Sequence, residues 1–273
     1  TKDEAERGHS LKYKDTHVAT TLFTVHTSPA KEGNIRAYCI ELEVNVKYES
    51  DLKVGAWKDF PGTNKFKDNP DVQAKVAWIA QNSYPQTDLA KVTQTTGIAG
   101  LTEREAITAT QAAIWHLTNP DETPSLDLAE GDQATKDRTG KLYDYLLGPA
   151  NAGLPESSGP SVEVTAPKAP GTSGELVGPI RLTATQQTVA LAALPYPLVD
   201  AQGNEVDLSA VPTETDLFLK VPADTPAGKA DIIASLTGDT HTSHLLVARS
   251  GRWQTLVIAK TKQVTVTARG EVS

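Results

Sequence analysis

The sequence predicts two domains. The first is α+β, a β-sandwich or barrel with an inserted helical subdomain over residues 1–154. The second is an all-β, immunoglobulin-like sandwich over residues 155–273. Three observations predict this division. The chain has 273 residues, about two domains at roughly 150 residues each. Helical periodicity is confined to the first half, and short β-branched runs fill the second. Between them, residues 148–160 are rich in Gly, Pro and Ser, the composition of a linker.

Taken in order, residues 18–26 and 35–48 read as strands. In the second of these, Ile40, Leu42, Val44 and Val46 alternate with Glu41, Glu43, Asn45 and Lys47, the period of a half-buried strand. Helices are expected over 71–83, 102–118 and 139–147. The order strand, strand, helix, helix, helix suggests a β-subdomain carrying a helical insertion. After the linker, strand patterns fall at 162–165, 180–185, 188–194, 217–221, 231–236, 245–248, 255–258 and 264–267. Gly, Pro, Asp and Asn separate them, as in a sandwich of short strands.

Composition narrows the function. The net charge is −8 with Lys and Arg scattered, so no phosphate-tracking surface is expected and nucleic acid is excluded as the main partner. No run approaches the ~18 apolar residues of a membrane span, and no membrane insertion is expected. Hydrophobic residues at 38% and charged residues at 22% fit a folded chain rather than a disordered one. With no Met, the chain reads as a processed piece of a secreted protein. Its single Cys, Cys39, precludes an internal disulfide and Cys-rich metal sites. No metal or cofactor motif appears: the acidic loop 127–132 lacks the Asp/Asn ladder of a calcium loop. The pair His241 and His244 has no third ligand near in sequence and reads as a solvated loop.

Two segments carry chemistry. Cys39 has the parity of the polar positions of its strand, so packing alone is not its natural role. Glu41 shares that parity, and an exposed strand position is its plain reading. The second segment runs from Leu101 to Thr118. Thr102 with Glu105 forms a capping box, and Asn119-Pro120 ends the helix. Gln111 lies on the apolar stripe of Ile107, Ile114 and Trp115. Burying its carboxamide unpaired would cost about 1–3 kcal/mol. Either the side chain bonds a nearby backbone, or its carboxamide is consumed in a reaction.

Tyr38-Cys39-Ile40-Glu41 and Thr110-Gln111-Ala112-Ala113-Ile114-Trp115 together resemble the paired signatures of thioester domains in Gram-positive bacterial surface proteins. The resemblance covers about residues 15–154, and the second domain is similar to the β-domain that follows in actinobacterial members. It implies an intramolecular thioester between Cys39 and Gln111. Tyr38, Trp115, Glu41 and Ala113 are expected as the wall and support of that site, Tyr38 and Trp115 as apolar cover and Glu41 by its shared parity with Cys39. The implied function is an adhesin that reacts once, rather than an enzyme. An amine, such as a lysine on a host or surface molecule, attacks the acyl carbon and is left joined by an amide. A monomer at the cell surface is expected, attached to the cell wall through a C-terminal part beyond residue 273.

Two other readings are weighed. In a Cys–His hydrolase, Cys39 would be the nucleophile and His17, His26 or His116 the base, but the sequence around Cys39 lacks the usual pattern. His116 lies ~140° around the helix from Gln111. In a non-covalent binding module, Cys39 would be merely buried. No Lys–Asn or Lys–Asp isopeptide bond is expected in the second domain, because residues 263–270 contain neither Asn nor Asp.

Overall fold

A computed structural model describes residues 6–26, 34–157, 159–261 and 263–273. The chain forms two compact units, residues 1–158 with 240–262, and residues 159–239 with 263–273.

The first unit opens with β1 (Glu6–Arg7), β2 (Leu11–Tyr13), β3 (Thr16–Val18), β4 (Thr21–His26), β5 (Asn34–Cys39) and β6 (Leu52–Gly55). Helices α1 (Pro70–Asn82), α2 (Leu89–Thr96) and α3 (Glu103–Thr118) follow, then β7 (Ser125–Leu128) and α4 (Gln133–Leu147). Side-chain caps mark the helix starts: Asn69, Asp88, Thr102 and Asp132 each accept from a first-turn N–H. The cap at Asp132 begins α4 six residues before the expected 139. Helix α2 was not anticipated, although Asp88 before it and a left-handed Gly97 after it are ordinary start and stop signals.

The second unit contains β8 (Val162–Thr165), β9 (Leu176–Ala184), β10 (Thr188–Leu191), β11 (Leu198–Val199), β12 (Val211–Pro212), β13 (Leu217–Lys220) and β14 (Ala230–Asp239). Strands β15 (Leu245–Ala248) and β16 (Leu256–Lys260) follow, and β17 (Gln263–Val272) closes the chain. Two four-stranded sheets, β12-β10-β14-β17 and β11-β13-β9-β8, share one apolar core that includes Ile180, Leu182, Leu217, Leu219 and Ile232.

The main difference from expectation concerns β15 and β16. Sequence adjacency places them in the second domain, but they pair with the first unit's sheet, whose order is β1-β4-β5-β16-β15-β6. Both are buried along most of their length, the pattern of strands covered on both faces. The reason is non-local hydrogen bonding: β16 completes the ladder beside β5 and β15 the ladder beside β6. The first unit is therefore not residues 1–154 alone.

A second correction concerns β5, which ends at Cys39 instead of running to residue 48. Beyond it the chain turns at Leu42-Glu43. The Gln254 side chain takes the backbone groups that a ladder would otherwise pair: Glu41 N–H donates to its Oε1 at 2.9 Å, and its Nε2 donates to the Glu41 and Val44 carbonyls, each at 2.6 Å.

Candidate functional site

Helix α3 is buried around most of its circumference and presents two faces. Ala106, Ile107, Ala109, Ala113 and Ile114 enter the main core with Tyr38, Ile40, Val76, Ile79, Leu142 and Val257. At 100° per residue, Thr108, Gln111, Ala112 and Trp115 fall on the other face. There Thr108 Oγ1 accepts from the His9 N–H at 2.7 Å, and Gln111 meets Cys39.

Gln111 is fully buried, and its carboxamide is paired with the Cys39 backbone. Cys39 N–H donates to Gln111 Oε1 at 2.9 Å, and Gln111 Nε2 donates to the Cys39 carbonyl at 2.8 Å. The pairing of β4 with β5 reaches only Phe23 opposite Ala37. Two residues on, the Gln111 amide stands in for the missing strand.

On the other edge of β5, Leu256 lies opposite Cys39, and Ile40 N–H donates to the Thr255 carbonyl at 3.1 Å. Continuing that register puts Gln254 opposite Glu41, where its side chain clamps the turn described above. Two buried glutamines thus hold the backbone around the cysteine: Gln111 on helix α3 pairs with Cys39 itself, and Gln254, two residues before β16, pairs with Glu41. Sequence reasoning passed over Gln254. Its signal, a Gln flanked by Trp253 and the apolar run Leu256–Ile258, has meaning only once β16 is known to lie beside Cys39.

Glu41 is buried at 4% exposure, not exposed as its strand parity suggested, because the chain turns inward there. Its carboxylate is held by Arg252, with Nη1 to Oε2 at 3.0 Å, and by the Thr255 N–H at 3.2 Å. A Cβ on Gly62 would lie 2.4 Å from its Oε1 and 2.4 Å from Phe60 Cζ, so a larger residue there would displace both side chains. Burial pushes the Cys39 thiol well above its ordinary range, and the Glu41 carboxylate pushes it further.

The other expected site residues separate. Tyr38 points into the main core, and its hydroxyl donates to the Tyr84 carbonyl at 2.8 Å. Ala113 also sits in that core, away from Gln111, because two residues along a helix turn the side chain by ~200°; it is packing rather than site wall. Trp115 lies on the Gln111 face, 3% exposed. His116 hydrogen-bonds Tyr143 at 3.0 Å, while His17 and His26 are exposed. The His241–His244 segment belongs to the first unit and is only half solvated: His244 is 3% exposed and bonds the Ser157 carbonyl. Among the described residues no cluster of His, Cys, Asp or Glu could hold a metal, and no helix is long and apolar enough to cross a membrane.

Residues 36–152 match the family model described as the thioester domain, and both Cys39 and the Thr110–Trp115 segment fall inside the match. This segment is a thioester domain. No curated protein matches the chain. Among solved structures, the thioester domain of the Enterococcus faecium TIE86 protein is similar at 15% identity and a TM-score of 0.39, with 98% of this chain and 95% of that one covered. The N-terminal thioester domain of a surface protein from Clostridium perfringens is similar at 12% identity and TM-score 0.39, covering 94% and 99%. The N-terminal domain of the Streptococcus pyogenes pilus tip adhesin Cpa is similar at 15% identity and TM-score 0.36, covering 67% and 86%. The family match ends at residue 152, yet the sheet of this thioester domain is completed by residues 240–262.

Proposed function

We propose that this chain is the binding end of a bacterial surface adhesin, and that Cys39 joins a glutamine side chain in an internal thioester that captures an amine on a host or surface molecule. The observation that carries this reading is the buried Gln111 carboxamide set against the backbone of the sole cysteine, inside the segment that matches the thioester domain. Formation is a balanced exchange. Cys39 Sγ bonds to the glutamine Cδ, the Cδ–Nε2 bond breaks, and the thiol proton leaves with nitrogen as ammonia. Because the thiol is hard to ionise, transfer of that proton to the departing nitrogen replaces a free thiolate. Fixed geometry supplies the proximity that amide attack needs.

Capture reverses the roles. The amine nitrogen bonds to the acyl carbon, the carbon–sulfur bond breaks, and the ammonium proton goes to Cys39. A free lysine amine is only about 0.04% neutral at pH 7, so docking beside the thioester must accompany coupling. Each molecule reacts once. The second unit serves as an immunoglobulin-like spacer, with attachment to the cell wall through a part of the protein outside these residues.

Gln111 is the acyl partner implied by the resemblance, and its carboxamide already lies against Cys39. A second reading, with Gln254 as acyl partner, is favoured by access and by register. An electrophile must be reached: Gln111 is 0% exposed, whereas Gln254 is 5% and Cys39 8% exposed. Diagonal side chains on adjacent strands also lie within ~7–8 Å, and Gln254 is two residues before Leu256, the partner of Cys39. On this reading Gln111 supports the Cys39 backbone and remains an amide.

Intact mass tests the function and peptide mapping tests the partner. The protein is expected one ammonia lighter than its sequence and should gain methylamine, with both effects lost in Cys39→Ala. After methylamine treatment, the methyl group marks the acyl residue in the peptide containing either Gln111 or Gln254. Full sequence mass with a titratable thiol would leave only non-covalent binding.

A further inference from the structure

The buried face of α3 holds a hydrogen-bond donor that the fold leaves unused. Trp115 is 3% exposed, and its buried indole Nε1 has no hydrogen-bond partner among the described residues. Such orphans are few, and each buried donor left unpaired costs about 1–3 kcal/mol. The indole of Trp57, by contrast, donates to the Ser243 carbonyl at 3.1 Å.

Contacts made one turn before and one turn after Trp115 show what lies beside its face of α3. One turn before it, Gln111 is paired with the backbone of Cys39. One turn after it, Asn119 Oδ1 accepts from Asn64 Nδ2 at 3.1 Å, and the same Nδ2 donates to the Ile40 carbonyl at 3.1 Å. Residues 111, 115 and 119 advance by 40° each around the helix, so they form one stripe. The Cys39–Ile40 backbone is thereby tied to this stripe on both sides of Trp115, directly at Gln111 and through Asn64 at Asn119. Trp115 and Ala112 also stand outside the main core, on the cysteine side of the helix.

We propose that the Trp115 indole N–H is the donor for the acyl oxygen of the thioester, and for the oxyanion that this oxygen becomes when an amine adds. This rests on the thioester reading above, in which the acyl carbon is bonded to Cys39 Sγ whichever glutamine supplies it. As the amine nitrogen bonds to the acyl carbon, the carbonyl π pair moves onto oxygen, where the indole N–H meets it. Collapse returns that pair to the carbonyl, breaks the carbon–sulfur bond, and delivers the amine's proton to sulfur. The donor is fixed before the reaction and shielded from water, the arrangement in which one hydrogen bond to an oxyanion is worth ~10²–10³ in rate.

Trp115→Phe keeps an apolar ring and removes the N–H. Its methylamine uptake, followed by intact mass, is expected to fall ~10²–10³-fold. A folded variant found at full sequence mass supports the proposal as well, since thioester formation passes through the same oxyanion. In wild type labelled with ¹⁵N-tryptophan, the Trp115 indole proton should shift on comparing thioester protein with Cys39→Ala, while that of Trp57 stays in place. The indole measurement decides the matter if Trp115→Phe does not fold. Uptake by the variant at the wild-type rate, or an unmoved indole signal, overturns the proposal while leaving the thioester intact. A wild type without ammonia loss overturns both.

Discussion

Gln111→Ala is expected to destabilise the first unit even when no thioester can form. The test background is Cys39→Ala, which removes the sulfur and leaves the backbone of residue 39 in place. In the structure that backbone gives its N–H and its carbonyl to the Gln111 carboxamide at 2.9 and 2.8 Å, in a position closed to water. Truncation strands both groups. At about 1–3 kcal/mol for each unsatisfied buried group, the loss is about 2–6 kcal/mol, a large share of the ~5–15 kcal/mol that holds a typical domain together. Equilibrium urea unfolding of Cys39→Ala with and without Gln111→Ala measures it, and melting should fall by roughly 2–4 °C per kcal/mol. A difference under about 1 kcal/mol would refute the argument, because it would mean that the carboxamide does not replace the missing strand.

Other expectations follow from the same structure. A chain ending at residue 154 lacks β15 and β16, exposes the edge of β5 at Cys39, and is expected to aggregate; a soluble product that loses ammonia would contradict the assignment of residues 240–262 to this unit. Arg138→Met removes the partner that holds Glu105, which is 1% exposed, and should cost up to about 3 kcal/mol in denaturant unfolding. Burial alone would raise the Glu105 carboxyl, but Arg138 and the Thr102 N–H hold it below the usual range. Its stabilising contribution is therefore present above pH ~4.3 and is lost as pH falls through the depressed value, a dependence that Arg138→Met should weaken. Burial lowers the pKa of both His9 and His244, and each has a buried Nδ1 without a partner among the described residues. Stability should then be full above pH ~6.5 and decline on acidification, by at most about 1.4 kcal/mol per pH unit for each histidine. Melting curves between pH 7 and 5 test this, and His244→Gln should flatten part of the decline.

The features legible in the sequence are local. The capping box at Thr102 and Glu105 set the start of α3, Asn119-Pro120 set its end, and 3.6-residue periodicity placed Gln111 and Trp115 near one stripe. The lone cysteine, with a carboxamide that burial would penalise, marked the segments that meet in the site. Each of these is decided within about four residues, the range over which caps and helical faces act. Tertiary structure decided the rest. Nothing near Cys39 shows that β5 stops there, because it stops where side chains from residues 111 and 254 take over its backbone hydrogen bonds. Nothing near Leu256 shows that β16 belongs beside Cys39, because a strand's hydrogen-bonding edge accepts a partner from any distance along the chain. Glu41 reads as exposed by alternation and is buried because its strand ends. The role of Gln254 was invisible for the same reason: its importance lies in what a fold spanning most of the chain sets opposite it.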